Sequence, residues 1–150
     1  MGDQSVTIYA HYTGNSYTNT VYYNQGSGAG GPTSDSKSVT YPTTQCPITL
    51  STVIPTMVGY TFTGWYTKET GGEIVTGSVT VGDNEISHDQ DVTLYAHYLP
   101  NVYSNTIKYN TCGGTGGPND DSHDVTYPNT SYDHTVSLVV PKKNGHKFLG

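Results

Sequence analysis

Apolar and polar residues alternate along most of this chain with a period of two. Val6, Ile8, Ala10 and Tyr12 share one parity and Thr7, Tyr9 and His11 the other. Successive strand side chains point to opposite faces, so residues 1–14 predict a half-buried strand. The same pattern predicts strands at residues 20–24, 38–41, 60–67, 74–75, 79–81 and 92–98. Phe62 and Trp65 both read as core aromatics, which strict alternation forbids, so a bulge is expected near Gly64. Across residues 43–55, Ile48, Leu50, Val53 and Ile54 follow no helical stripe and Pro47 interrupts them. That stretch predicts extended chain with at most one helical turn. Turns are expected in the glycine-rich loop 25–32, at Glu69-Thr70-Gly71-Gly72 and at Gly82-Asp83-Asn84, and short linkers at 15–19 and 99–105. Pro100 suits a boundary, because it has no N–H to give to a ladder.

The pattern also repeats. Val6-Thr7-Ile8-Tyr9-Ala10-His11-Tyr12 returns as Val92-Thr93-Leu94-Tyr95-Ala96-His97-Tyr98, an offset of 86 residues. The offset holds without a gap: Thr20-Val21-Tyr22-Tyr23-Asn24 becomes Thr106-Ile107-Lys108-Tyr109-Asn110, and Val39-Thr40-Tyr41-Pro42 becomes Val125-Thr126-Tyr127-Pro128. Roughly half of the comparable positions are identical, which marks a tandem array. The expected organisation is therefore a closing strand of a preceding repeat at 1–14, one complete unit at 15–100, and the N-terminal part of a following repeat at 101–150. The repeat also assigns faces. Val21 stays apolar as Ile107 and Tyr23 stays Tyr109, whereas Tyr22 becomes Lys108, so Val21 and Tyr23 should face the core and Tyr22 the solvent.

Tyr22-Tyr23-Asn24 before a glycine-rich turn, then Val39-Thr40-Tyr41, then Gly59-Tyr60-Thr61-Phe62-Thr63-Gly64-Trp65-Tyr66 and finally Val92-Thr93-Leu94-Tyr95-Ala96 resemble the Listeria-Bacteroides repeat, the B-repeat of listerial internalins and other large surface proteins. The resemblance spans nearly the whole chain and is most specific in the Gly-Tyr-x-Phe-x-Gly-Trp-Tyr run. It implies a compact β-grasp-like module in an extracellular stalk or adhesin, with no catalytic residues to carry over. The family's short helix across the sheet is not expected in residues 43–55.

Composition agrees with a mainly β chain of tandem small units with little or no helix. Of 150 residues, 14 are tyrosine, and Thr and Val are abundant, all strand formers. With 11% aromatics and a net charge of −6, a folded chain is expected over a disordered one. The basic residues are all Lys, with no Arg to grip phosphate in bidentate fashion, so nucleic acid is not expected as a partner. No apolar run has the length of a membrane span. No signal segment begins at Met1; Met1 and Gly2 align with Ser87 and His88 inside a repeat, so the chain reads as an excerpt.

Candidate chemistry is sparse. Gly26-Ser27-Gly28-Ala29-Gly30-Gly31 has dinucleotide-loop spacing, but Pro32 and a strand follow where a helix is needed. Asp120-Asp121-Ser122-His123-Asp124 gathers cation ligands, yet its counterpart Ser34-Asp35-Ser36-Lys37-Ser38 has lost most of them, so a solvated polar loop is expected. Lys108 is Tyr22 in the other copy, which argues against an isopeptide cross-link. Cys46 aligns with Tyr132 and Cys112 with Gly26, so neither belongs to the repeat plan. A disulfide between them, two free thiols and a link to another chain are all compatible with the spacing. Asn129-Thr130-Ser131 is an N-glycosylation acceptor sequence after a turn-forming Pro128, usable in a secreted eukaryotic protein.

No cofactor, metal or catalytic set is expected, because no Ser/His/Asp, paired-carboxylate or Cys/His arrangement recurs in both copies. The functional expectation is a non-enzymatic extracellular structural module of a cell-surface protein, adhesin stalk or fibre. Its expected partners are neighbouring copies, head-to-tail, in a filament where the N-terminal strand of one chain completes the sheet of another. The rival reading is a carbohydrate-binding or adhesive module in which outward Tyr9, Tyr22 and Tyr95 stack on sugar rings. His11 and His97 would lie beside them, His97 as a further contact to a glycan or partner.

Overall fold

In the computed structural model, residues 2–82 and 89–150 are described. They form two units, Met1–Thr56 with Phe62–His97, and Met57–Thr61 with Tyr98–Gly150. The architecture is mainly β, and among the described residues there is no helix. The expected turn at Gly82-Asp83-Asn84 lies, beyond Gly82, outside the described residues.

The first unit is organised around β1 (Ser16–Asn24). Its neighbours are β2 (Ser34–Thr40) and β7 (Gln90–Pro100), followed by β4 (Tyr60–Tyr66) and β5 (Ile74–Val75), giving the order β2-β1-β7-β4-β5. β1 runs antiparallel to β2, with Val21 opposite Asp35, and parallel to β7, with Val21 opposite Val92 and Tyr23 opposite Leu94. A parallel pair needs a long crossover, and here it contains all of β2 to β6. Within it, β3 (Cys46–Thr49) and β6 (Ser78–Val81) form a separate antiparallel ladder, Ile48 opposite Val79.

The core forms where one face of the sheet meets that ladder. Val21, Tyr23, Leu94 and Trp65 from the sheet pack with Cys46, Ile48 and Val81 from the ladder. Val21 and Leu94 are fully buried, each contributing about 2 kcal/mol of apolar transfer. The expected faces hold: Tyr23 is buried and Tyr22 half-exposed. Phe62 and Trp65 reach the same core, their rings 5.4 Å apart edge to face. Gly64 makes this geometry accessible by adopting φ +148°, off the regular strand path.

One polar side chain is sealed inside. Asn19 is 1% exposed, and its Nδ2 donates to the carbonyls of Thr44 at 3.1 Å and Val81 at 2.9 Å, tying β1 to the start of β3 and the end of β6, which meet at one end of the ladder. Gly82 permits the close approach: at φ +112° it has no Cβ, which would stand 2.4 Å from the Thr44 oxygen and 2.9 Å from Nδ2.

The second unit repeats this construction in part. β8 (Val102–Ile107) and β9 (Asp121–Thr126) pair in the register of β1 and β2, so Ile107 faces Asp121 as Val21 faces Asp35. Individual hydrogen bonds recur at the same offset. The Tyr41 amide donates to the Asn15 carbonyl and the Tyr127 amide to that of Asn101. The Ser51 amide donates to the Tyr23 hydroxyl at 3.0 Å and the Ser137 amide to the Tyr109 hydroxyl at 2.8 Å. Asn105 reaches the Thr130 carbonyl at 3.3 Å, as Asn19 reaches that of Thr44.

Three expectations are corrected. The supposed linkers at 15–19 and 99–105 are mostly strand, since β1 starts at Ser16, β7 runs to Pro100 and β8 resumes at Val102. The polar stretch 120–124, expected as a loop, enters strand β9 at Asp121, because β8 supplies a ladder that outweighs its weak intrinsic preference. Residues 2–15 carry no strand; Val6, Ile8 and Tyr12 are 88%, 89% and 90% exposed. Alternation marks faces, but a strand exists only where a neighbour hydrogen-bonds to it.

Candidate functional site

The face of the five-stranded sheet turned away from the core is lined by hydroxyls and rings. On β1 and β7, Tyr22 lies opposite Thr93, and Asn24 opposite Tyr95, all of opposite parity to buried Tyr23 and Leu94. Tyr22 and Tyr95 are therefore diagonal neighbours on one face, within reach of each other for side chains of that length. β2 extends the surface with Ser34 and Ser36, opposite Tyr22 and Thr20.

Next to Tyr95 on the same strand face, His97 stacks on Tyr66 with ring centroids 3.9 Å apart and planes within 8°. Its Nε2 lies 2.9 Å from the Lys68 carbonyl oxygen. A carbonyl only accepts, so Nε2 carries the proton. His97 is thus committed to the protein, clamping β7 to the turn after β4. Tyr9 is 77% exposed in the strandless N-terminal segment, so Tyr22 and Tyr95 are assembled on one sheet while Tyr9 is not part of it. His11 is likewise exposed.

The remaining candidates are dispersed. Cys46 is buried in the core of the first unit and Cys112 is exposed in the second, both as free thiols. Asn129 is exposed, and its amide closes a turn onto the Thr126 carbonyl at 3.0 Å. The glycine-rich loop 25–32 leads into β2, and its backbone is pinned by Gln25, which accepts from the Gly31 amide and donates to the Pro32 carbonyl.

In the acidic stretch, Asp120 accepts from the Tyr109 amide at 3.1 Å, and Asp121 from His134 Nδ1 at 2.8 Å. His123 stacks on Tyr132 at 3.6 Å. Among the described residues no three His, Cys, Asp or Glu side chains converge as a metal site. His134 itself escaped sequence reasoning. It occupies the position of Ile48, its side chain is 8% exposed, and its buried Nε2 has no partner among the described groups. The visible signal was a histidine at an otherwise apolar repeat position.

Tyr23 carries a shifted ionisation. Burial, and then the 2.7 Å bond its hydroxyl donates to Asp35, push its pKa up to about 12. Its neutral hydroxyl, bridging Asp35 and the Ser51 amide, is a structural group. Each unit also has an apolar opening. One, of about 430 Å³ in the first unit, is lined by Leu50, Phe62, Trp65 and Val75. The other, about 350 Å³ in the second, is lined by Tyr109, Val136, Val139 and Phe148. Such surfaces can stack rings and accept strands.

No solved structure matches this chain. It is similar to Internalin H of Listeria monocytogenes, with 34% identity over 119 residues covering 77% of this chain and 18% of that protein. The chain thus spans about a fifth of its relative's length. The model of the Listeria-Bacteroides repeat domain matches residues 17–97, more than half of the chain and almost all of β1 to β7. The chain belongs to the Listeria-Bacteroides repeat family.

Proposed function

We propose that this chain is a non-enzymatic spacer in an extracellular, cell-surface array, where tandem β-grasp-like units set distance from the cell and join head-to-tail into a filament. The observation carrying this reading is the recurrence of individual backbone and side-chain hydrogen bonds at the 86-residue offset, for example Ser51 to Tyr23 and Ser137 to Tyr109. What is conserved between the copies is the frame itself. Chemistry-bearing groups differ: Lys108 for Tyr22, His134 for Ile48, Cys112 for Gly26. Asn101 alone separates β7 from β8, so such an array contains no flexible tether of the Gly/Ser kind. The resemblance to Internalin H supports a place in a larger surface protein. Arrays of one, two and three units, compared by small-angle X-ray scattering, should lengthen by a constant increment per unit. A maximum dimension that does not grow with copy number overturns the spacer reading.

A second reading is favoured by one observation, the Tyr22 and Tyr95 pair on the outer sheet face. Aromatic faces of this kind stack on sugar rings. Glycan-array binding abolished by Tyr95→Ala supports an adhesive role, and an array without binding removes it. Glycosylation at Asn129 belongs to the same extracellular setting and is read directly by the mass of protein from a secreting eukaryotic host.

A further inference from the structure

Charge is spread unevenly along this chain. The net charge is −6, yet three of the six lysines, Lys142, Lys143 and Lys147, fall close together, and neither 109–119 nor 134–150 contains an Asp or Glu. The second unit brings those two carboxylate-free stretches side by side. Thr115 and Lys142 exchange backbone bonds of 2.7 and 2.8 Å. One turn is closed by the Gly114 amide on the Thr111 carbonyl, the other by the His146 amide on the Lys143 carbonyl. Lys143 Nζ donates to the Cys112 carbonyl at 2.8 Å and so staples the second turn to the first. Between them lies an opening of about 250 Å³, lined by Thr111, Gly114, Lys142, Lys143, His146 and Lys147, with Pro141 as apolar wall. The backbone plan is common to both copies, since Ala29 and Thr56 exchange the same pair of bonds as Thr115 and Lys142. So is the exposure: Thr56, Val58 and Thr61 are exposed in the first copy, as Lys142, Asn144 and Lys147 are in the second. Only the charge is new, because Thr56, Met57, Tyr60 and Thr61 stand where the second copy has Lys142, Lys143, His146 and Lys147.

We propose that this opening is a binding site for an acidic polysaccharide, a chain of sugar rings carrying sulfate or carboxylate groups. Three ammonium groups around one opening, with no carboxylate in either flanking stretch, make a local positive field on an acidic protein, which draws in anions and holds them. Lysines act as point charges on flexible stems, a match for anions spaced along a polymer more than for one planar group gripped by a fork. The backbone disfavours an acidic peptide, because Thr115 and Lys142 already satisfy each other and leave no ladder for a peptide to join. A peptide would be held by its carboxylates alone, each on a stem whose freedom is lost on binding, whereas the anions of a polysaccharide sit close to a stiff ring. The site is separate from the Tyr22 and Tyr95 face, and its choice of a glycan as the polyanion rests on the extracellular setting proposed above.

Calorimetric titration of the whole chain with heparin, as a sulfated polysaccharide, is the test, repeated over a salt series. Binding should be present at low salt and fall as salt rises. Lys142→Gln with Lys147→Gln, which keeps the Lys143 staple, should weaken it by about tenfold or more and reduce the slope of log K against log salt by about one per lysine. Lys37→Gln with Lys68→Gln removes the same charge elsewhere and should change neither, and Tyr95→Ala should bind as the parent does. Amide shifts on adding a short sulfated oligosaccharide should cluster at 111–115 and 142–147. Unsulfated dextran should not bind, and polyglutamate should bind more weakly than heparin. No heparin binding at low salt, an equal loss in the two double variants, or polyglutamate bound as tightly as heparin overturns the proposal. None of these outcomes alters the scattering increment per unit, so the spacer reading stands or falls separately.

Discussion

Replacing Asn19 by alanine isolates the contribution of a buried polar tie. Its amide group donates to the Thr44 and Val81 carbonyls, at 3.1 and 2.9 Å, in a place closed to water. Alanine removes both bonds and leaves two carbonyls without that donor. A net hydrogen bond is worth about 1 kcal/mol, and an abandoned buried group costs about 1–3 kcal/mol. The expected loss is therefore about 2–4 kcal/mol. Asn105, its counterpart, is half-exposed with one bond of 3.3 Å, so Asn105→Ala should cost under about 0.5 kcal/mol. Urea denaturation followed by Trp65 fluorescence reads the first unit selectively, because Trp65 is the chain's single tryptophan and lies in that core. Asn19→Asp sharpens the test. Its carboxylate would face two carbonyl oxygens without a proton to give, so it should be worse than alanine at neutral pH and recover on acidification, when the protonated acid regains a donor. Equal midpoints for Asn19→Ala and Asn105→Ala would falsify the anchor role.

Three further outcomes follow from the packing. Phe62, at the edge of the core beside the apolar opening, should cost about 2–3 kcal/mol on truncation to alanine, and half-exposed Tyr22 under about 1 kcal/mol; equal losses in the same urea assay contradict the face assignment. The Tyr23 pKa is raised from 10.0 to about 12, so its contribution is fully present below pH 10 and is lost as pH climbs through 12; a Tyr23→Phe chain should lack this component of the alkaline decline in stability. Gly82→Ala should lower the denaturation midpoint, since its Cβ meets the Thr44 oxygen, whereas Gly26→Ala, with open space around it, carries only the cost of its φ of +58°; an equal midpoint shift for both removes the steric argument.

What the sequence could reveal depended on whether a residue's own pattern, or a distant neighbour, decides its state. Val21, Tyr22 and Tyr23 could be read because alternation plus the exchange of Tyr22 for Lys108 distinguishes a wet face from a dry one. Ser34 to Lys37 could not: every residue before Val39 in β2 is polar, and the ladder to β1 makes it a strand. The N-terminal segment shows the converse. It carries the letters of β7 but for Ile8 in place of Leu94, yet among the described residues no strand pairs with it, so the same alternation stays strandless. Asn19 looked like a linker residue, and its sole sequence signal was identity with Asn105. The candidate surface was half legible. Tyr22 and Tyr95 could be named from parity, whereas the capture of His97 by Tyr66 and Lys68 depends on how β4 and β7 meet.

The parallel pairing of β1 with β7 has a mechanical consequence. β1 begins the first unit and β7 closes it, side by side and pointing the same way, from Asn19 opposite Gln90 to Asn24 opposite Tyr95. A pull on the chain draws the start of β1 one way and the end of β7 the other, along the strand axis. That is a shearing load, in which the hydrogen bonds between the two strands share the force and must yield together. An antiparallel hairpin pulled from its open end would unzip one bond at a time. The topology thus suits a unit that stays folded when its two ends are drawn apart.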